Sequence, residues 1–371
     1  MIEKLRYITY TLLAALLMLG CNEELTPEDS CQICFETSVQ DHTSISRATI
    51  FENQNDILND AADGKGGGNL TMYAYISNEE AVRFKSRAWY FNSKGWRFYD
   101  AASNKFYNHY WPNQSMDFFA YMPWDGSGKQ KMITVGTHTP STDQNPGGLN
   151  ITCNIPQPEN LEDTKGQETI IAYTPNMHKQ TVNLYFVHPF AAVSFELKQA
   201  HRNLTINWIR FNNVYLKGTT TLNDATNNST QISWTGTDEP DDPVDHKTFT
   251  IPVGKTIPTD INFGAKIGGP YLVMPQSLSE ATITIRYEWN NEKTSDDVIT
   301  GDEDYNSLDP DDEKNKNNIY QITRPLSGNW LAGNKYTYVL NLGDNEAEIL
   351  FKVLVEPWLV TGGNNNIFDV E

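Results

Sequence analysis

GNKYTYVLNLGDNEAEILFKVLVEPW, Gly333–Trp358, alternates with a period of two. Tyr336, Tyr338, Leu340 and Leu342 share one side of an extended chain, and Ile349, Phe351, Val353 and Val355 share one side after Gly343-Asp344-Asn345. Successive side chains of a strand point to opposite faces, so this alternation marks two half-buried strands. A Gly/Asp/Asn turn between them makes a hairpin.

The same pattern extends outward. Upstream it recurs in Thr282–Trp289, Tyr271–Met274, Phe249–Val253, Gln231–Trp234, Thr219–Leu222 and Leu204–Tyr215. Val193, Phe195 and Leu197 alternate, as do Val182, Leu184, Phe186 and His188. The first half adds Leu70–Ile76, Arg83–Phe91, Gly95–Asp100, Lys105–Tyr110, Met116–Tyr121 and Thr169–Tyr173. Lys129–Gly148 and Glu292–Asn318 read as loops, and only Asn53–Asp63 suggests a short helix. Many short strands with frequent turn residues predict an all-β sandwich or barrel. The two halves have like character without an exact repeat, and the polar stretch Asn176–Thr181 separates them.

Bulk properties narrow the function. The 371 residues suffice for two domains of ordinary size. The net charge of −19 repels nucleic acid and anionic lipid, which excludes both as partners. Aromatics make up 12% of the chain, far from a disordered composition.

The N-terminus carries signals of another kind. Lys4 and Arg6 precede the apolar run Ile8–Leu19, which is shorter than the roughly 20 residues a membrane span needs. Small Gly20 and then Cys21 follow, the layout of an export peptide. Met18-Leu19-Gly20-Cys21 resembles the lipobox of bacterial lipoproteins, which implies that the Cys21 thiol carries a lipid. Asn22-Glu23-Glu24 resembles a surface-export tag. Gln32–Val39 reads as a strand, with Ile33, Phe35, Thr37 and Val39 on one face and Gln32, Cys34, Glu36 and Ser38 on the other. A polar stretch leads from it to Arg47-Ala48, where an exposed arginine would admit a trypsin-like protease.

Few residues suggest chemistry. Cys31 and Cys34 lie three apart on an extended strand, on opposite faces, and no second CxxC completes a zinc site. With Cys21 lipidated, Cys31, Cys34 and Cys153 leave an odd number, against a disulfide framework. The acids Asp302, Glu303, Asp304, Asp309, Asp311, Asp312 and Glu313 lack EF-hand spacing and read as a solvated loop. The scattered histidines, His188 among them, read as structural. No phosphate loop, HExxH or G-x-S-x-G motif occurs, and nothing selects a carboxylate pair for hydrolysis. No catalytic, cofactor-binding or metal residue is therefore expected. Trp89, Trp96, Tyr99, Tyr107, Tyr110, Trp111 and Trp124 could form a sugar-stacking platform, although the alternation assigns most of them to the core.

Several segments together resemble the fimbrillin family of lipoproteins, type V pilin-like subunits of Bacteroidales-type bacteria. They are the lipobox, ICFETSV with Ser46-Arg47-Ala48-Thr49, YWPNQSMDFFAYMP (Tyr110–Pro123) and TIIAYTP (Thr169–Pro175). VNLYFVHPFAAVSFEL (Val182–Leu197), YLVMPQ (Tyr271–Gln276), GNKYTYVLNL (Gly333–Leu342) and the closing VEPW (Val355–Trp358) complete the set. The resemblance implies two tandem transthyretin-like (Ig-like) β-sandwich domains and no enzymatic activity. It divides the chain into a signal peptide (1–20), a propeptide with a removable first strand (21–47), and domains at 48–178 and 179–371. It further implies a fimbrial location at the outer membrane and cell surface, with anchoring through the Cys21 lipid before processing. A trypsin-like maturation protease would cut between Arg47 and Ala48 and release the strand bearing Ile33, Phe35, Thr37 and Val39. Other pilin subunits would then fill the vacated groove by strand exchange. The family's stalk subunits donate a C-terminal strand, and here only Leu359–Glu371, interrupted by Gly362-Gly363-Asn364-Asn365-Asn366, follows Trp358. The alternative is a surface lipoprotein that does not polymerise and binds a glycan or host ligand.

Overall fold

The structure, a computed structural model, describes residues 32–39, 69–91, 95–100, 102–122, 132–140, 147–158, 169–200, 204–223, 232–237, 248–257, 265–289, 319–342, 349–357 and 366–369. Every regular element among them is a strand. The first half holds β1 (Phe35–Val39), β2 (Asn69–Ile76), β3 (Val82–Phe91), β4 (Gly95–Asp100), β5 (Lys105–Tyr107), β6 (Met116–Met122), β7 (Ile133–Thr139), β8 (Gly148–Asn154) and β9 (Ile170–Met177). Next come β10 (Val182–Phe186), β11 (Ala191–Ala200), β12 (Leu204–Asn212), β13 (Lys217–Leu222), β14 (Thr235–Gly236), β15 (Thr248–Ile257) and β16 (Ala265–Val273). The last are β17 (Gln276–Ser277), β18 (Thr282–Trp289), β19 (Ile319–Pro325), β20 (Asn329–Trp330), β21 (Asn334–Leu342), β22 (Ile349–Pro357) and β23 (Asn366–Asp369). The helix expected at Asn53–Asp63 lies outside the described residues.

The hairpin read from Gly333–Trp358 is present as β21 and β22. Its antiparallel register sets Tyr336 opposite Val355, Tyr338 opposite Val353, and Leu340 opposite Phe351, as the alternation predicts. Tyr336, Tyr338, Leu340 and Val353 are buried. The pair sits inside a five-stranded sheet, β16-β11-β21-β22-β23, which faces the four-stranded sheet β15-β12-β18-β19 across a common apolar core. The chain's short C-terminal strand β23 lies antiparallel on β22, with Phe368 opposite Val353.

A six-stranded sheet, β5-β4-β3-β2-β6-β9, occupies the other end. Its inner face contributes Leu70, Met72, Ala74, Phe98, Phe118, Ala120 and Met122 to a second, smaller core. Its outer face gives Tyr75, Phe119, Tyr121, Ile171 and Tyr173 to the larger one. One sheet therefore walls both cores, because neighbouring residues of a strand point to opposite sides. The chain crosses between them in a single step: Phe186 lies in the smaller core and Val187 in the larger. The boundary expected at 178/179 falls between β9 and β10, and both of these strands contribute to the smaller core. β7 and β8, from the first half, pair into a sheet with β13 from the second.

Lys129–Gly148, expected as a loop, contains β7. Two apolar anchors, Ile133 and Val135, are followed by Gly136, and a register shift between Val135 and His138 breaks the alternation. A bulge of this kind hides a strand from any test of period two. β8 begins at Gly148, whose φ is +138°. A Cβ there would lie 2.3 Å from the Leu222 carbonyl oxygen, so only glycine lets β8 and β13 approach this closely.

Candidate functional site

β1 pairs with β10 in parallel, from Phe35 opposite Val182 to Val39 opposite Phe186. Among the described residues neither strand has another ladder partner. The alternation expected for this strand is observed: Ile33, Phe35 and Thr37 are buried, Glu36 is exposed, and Gln32 and Cys34 are intermediate. The hydrogen-bonded strand itself begins at Phe35, and Gln32 makes an isolated bridge to Tyr110. The Val39 backbone is in register with Phe186.

The inward face of β1 fits a groove in the smaller core. The Phe35 ring lies 5.7 Å from Trp96 and 5.4 Å from Phe98, both on β4. Val182, Leu184 and Phe186 of β10 are fully buried alongside. The Trp96 Nε1–H donates to Thr37 Oγ1 at 3.0 Å, so the one polar side chain on this face is satisfied. At the near end, the Ile33 N–H donates to the His109 carbonyl at 2.8 Å, and the Val182 N–H donates to the Cys34 carbonyl at 3.0 Å. Burial of Ile33 and Phe35 contributes about 1.5–3 kcal/mol each. His109 stacks on Phe84 at 3.6 Å and hydrogen-bonds Ser86 Oγ at 2.7 Å. Burial, and then the Arg83 charge, lower its pKa, which leaves a neutral ring beside the groove.

Thr37→Val keeps the shape of the side chain and removes the acceptor. It is expected to destabilise the protein by about 1–3 kcal/mol, because the Trp96 N–H is left buried without its partner. Denaturant melts of the two proteins check this, and equal midpoints would show that the bond contributes nothing.

The other expected site residues are dispersed. Cys21, Arg47 and Ala48 lie outside the described residues, as do Cys31, Trp124 and the acidic stretch Asp302–Glu313. Trp89, Trp96, Tyr99 and Trp111 are buried, Tyr107 is half-buried and Tyr110 is exposed, so these rings do not form one open platform. Among the described residues no group of three or more His, Cys, Asp or Glu side chains could hold a metal ion. Cys153 is buried, and burial pushes its thiol pKa up to about 12. His188 is buried, consistent with a structural role.

Sequence reasoning missed a polar cluster where the outer face of the six-stranded sheet meets β7. His138 is fully buried, with Nε2 2.8 Å from Asp117 Oδ2 and Nδ1 2.7 Å from the Glu79 carbonyl. Both ring nitrogens face acceptors, so both carry hydrogens and the ring is an imidazolium. Tyr75 stacks on it at 4.5 Å. The Asp117 carboxylate also accepts from Ser77 Oγ, from the Asn176 N–H at 2.8 Å and from the Tyr173 hydroxyl at 3.3 Å. Asp117 and His138 are 21 residues apart with a bulge between, which no local pattern reveals.

The family model of fimbrillin-like proteins matches residues 61–358. The chain belongs to the fimbrillin-like family. Its members are structural surface proteins rather than enzymes. In fold, this fimbrillin-like chain is similar to a fimbrial protein from Bacteroides vulgatus, with a TM-score of 0.53 at 15% identity over 88% of this chain and 99% of that one. A candidate cell adhesion protein from Bacteroides ovatus aligns with a TM-score of 0.46 at 13% identity, over 89% of this chain and 99% of that one. No curated protein matches the chain in sequence.

Proposed function

We propose that this fimbrillin-like chain is a structural or adhesive subunit of a cell-surface fimbria, assembled by exchange of its first strand. It folds as two tandem β-sandwich units and reaches the outer membrane as a lipoprotein acylated at Cys21. A trypsin-like protease then cuts between Arg47 and Ala48 and releases the lipid together with β1. A strand of another pilin subunit replaces β1.

The observation that carries this reading is how β1 is held. Among the described residues it has one ladder, to β10, and a face of three buried side chains seated over Trp96 and Phe98. Removing it bares β10 along its length and opens an apolar groove, and an unpaired edge over such a groove is a template for β-augmentation. Because donor and acceptor surfaces differ, the contact is heterologous, and repeated with a rotation that does not close into a ring it gives a filament. The incoming strand must supply apolar groups in place of Ile33 and Phe35, and an acceptor for the Trp96 N–H in place of Thr37. β23, with four residues, is one shorter than β1 and lies on its own chain's β22. A donor from a different subunit therefore suits this groove better than a second copy.

N-terminal sequencing of the surface-exposed protein tests the proposal. Ala48 is the expected first residue in the wild type, and Arg47→Ala is expected to abolish that terminus and leave acylated Cys21. If the substitution leaves both the mature terminus and assembly unchanged, processing at Arg47 is wrong.

A further inference from the structure

Among the described residues, the larger core covers the outer face of the six-stranded sheet only over β2, β6 and β9. Over β3, β4 and β5 it forms a cleft of about 620 Å³ lined by Lys85, Arg87, Asp100, Ser103, Lys105 and Phe106, among others. Among the described lining residues three are cationic and one is a carboxylate, the reverse of the chain's overall balance of −19. The Arg87 guanidinium lies over the edge-on pair of Trp89 and Tyr99, 5.2 Å from each ring, and its Nε–H donates to Asn69 Oδ1 at 2.8 Å. Lys85 Nζ stands 5.1 Å over the Tyr73 ring, and Lys105 is exposed. Phe106 is 46% exposed, with its ring 5.4 Å from Tyr99. Asp100 is held at the rim by the Ala102 N–H at 3.0 Å and by Ser103 Oγ at 2.7 Å.

We infer that the cleft over β3, β4 and β5 binds an anionic saccharide, its carboxylate facing Lys85, Arg87 and Lys105 and a sugar ring lying on Phe106. The volume falls in the range of small-molecule sites, about 300–1,000 Å³. An open aromatic ring offers a surface to the C–H face of a pyranose, and fixed cations recognise a carboxylate through charge-assisted hydrogen bonds. The open Phe106 ring favours a saccharide over an acidic peptide, because a pyranose offers it a C–H face and an acidic side chain does not.

Titration calorimetry on the purified full chain tests this with three probes: trigalacturonate, its methyl ester, and hexaglutamate. Trigalacturonate is expected to bind about tenfold more tightly than the uncharged ester, and the preference should shrink at high salt. Lys85→Ala/Lys105→Ala is expected to weaken trigalacturonate about tenfold while barely changing binding of the ester. Phe106→Ala is expected to weaken both saccharides. All three residues lie at the surface, and thermal melts matching the wild type confirm that the variants fold. Equal binding of acid and ester, no binding of trigalacturonate, or an unaffected double variant would overturn the inference. Hexaglutamate binding as tightly as trigalacturonate would overturn it as well, because the cleft would then be a peptide acceptor.

Discussion

Asp117→Ala is expected to cost about 3–5 kcal/mol of stability, the penalty of leaving a buried charge without its partner. The loss falls on more than the His138 ion pair. The same carboxylate holds Ser77 after β2 and the Asn176 N–H on β9, so two elements of the shared sheet lose an acceptor together with His138 of β7. The pair also imposes a pH profile on the wild type. Burial disfavours charge on His138, but the Asp117 and Glu79 hydrogen bonds and the Asp117 and Glu80 charges outweigh it, and its pKa rises above 6.5. A raised pKa in the folded state means that this stabilisation is complete below the ordinary value and is lost as pH climbs through the raised one. For Asp117, burial again opposes charge, while His138, Asn176 and Ser77 prevail and lower its pKa below 3.8. Its contribution is complete above 3.8 and is lost as pH falls through the lowered value. Stability from the pair is therefore greatest between 3.8 and 6.5 and declines on both sides. Denaturant melts across pH should show both flanks in the wild type and neither in Asp117→Ala. A constant difference between the two proteins at every pH would refute the charged pair.

Trp330→Ala is expected to destabilise the larger core by a similar amount, about 3–5 kcal/mol. Trp330 sits on the two-residue strand β20, yet its indole is buried between the facing sheets. It meets Phe211 of β12 edge-on at 4.9 Å, and its Nε1–H donates to the Tyr338 hydroxyl of β21 at 3.0 Å. Truncation removes the filler between two sheets and leaves Tyr338, a fully buried phenol, without its donor. Trp330→Phe should recover most of the packing but not the hydrogen bond, and so fall between wild type and alanine in chemical denaturation. If phenylalanine and alanine are equally destabilised, the hydrogen bond rather than the volume dominates, contrary to this assignment.

The fold class was legible because its strands are half-buried. β21 and β22 alternate so cleanly that their faces could be assigned residue by residue, and the pairing Tyr338–Val353 follows. β4 was read at its observed ends, Gly95–Asp100. β7 was not, because a glycine and a bulge interrupt its pattern, and the hydrogen bonds of His138, not hydrophobic periodicity, tie it to the neighbouring sheet. The inward face of β1 was legible for the same reason as the hairpin, but its partner was not: parallel pairing with β10 joins segments more than 140 residues apart, which no local pattern encodes. The exchange of cores between Phe186 and Val187 was equally hidden. VNLYFVHPF looks like one continuous strand pattern in sequence, whereas in space it passes from one interior to the next.

The shared wall has a mechanical meaning. In a filament, tension enters a subunit at one end and leaves at the other. Beads joined by a linker would let each bead yield separately. Here Phe118 and Phe119, adjacent on β6, are rooted in different interiors, and the same holds for Ile170 and Ile171 on β9. Pulling one interior away from the other would drag large side chains of a single sheet out of their packing together, a load spread over several strands at once. A fibre built from such units should behave as a stiff rod whose weakest links lie between subunits rather than within them.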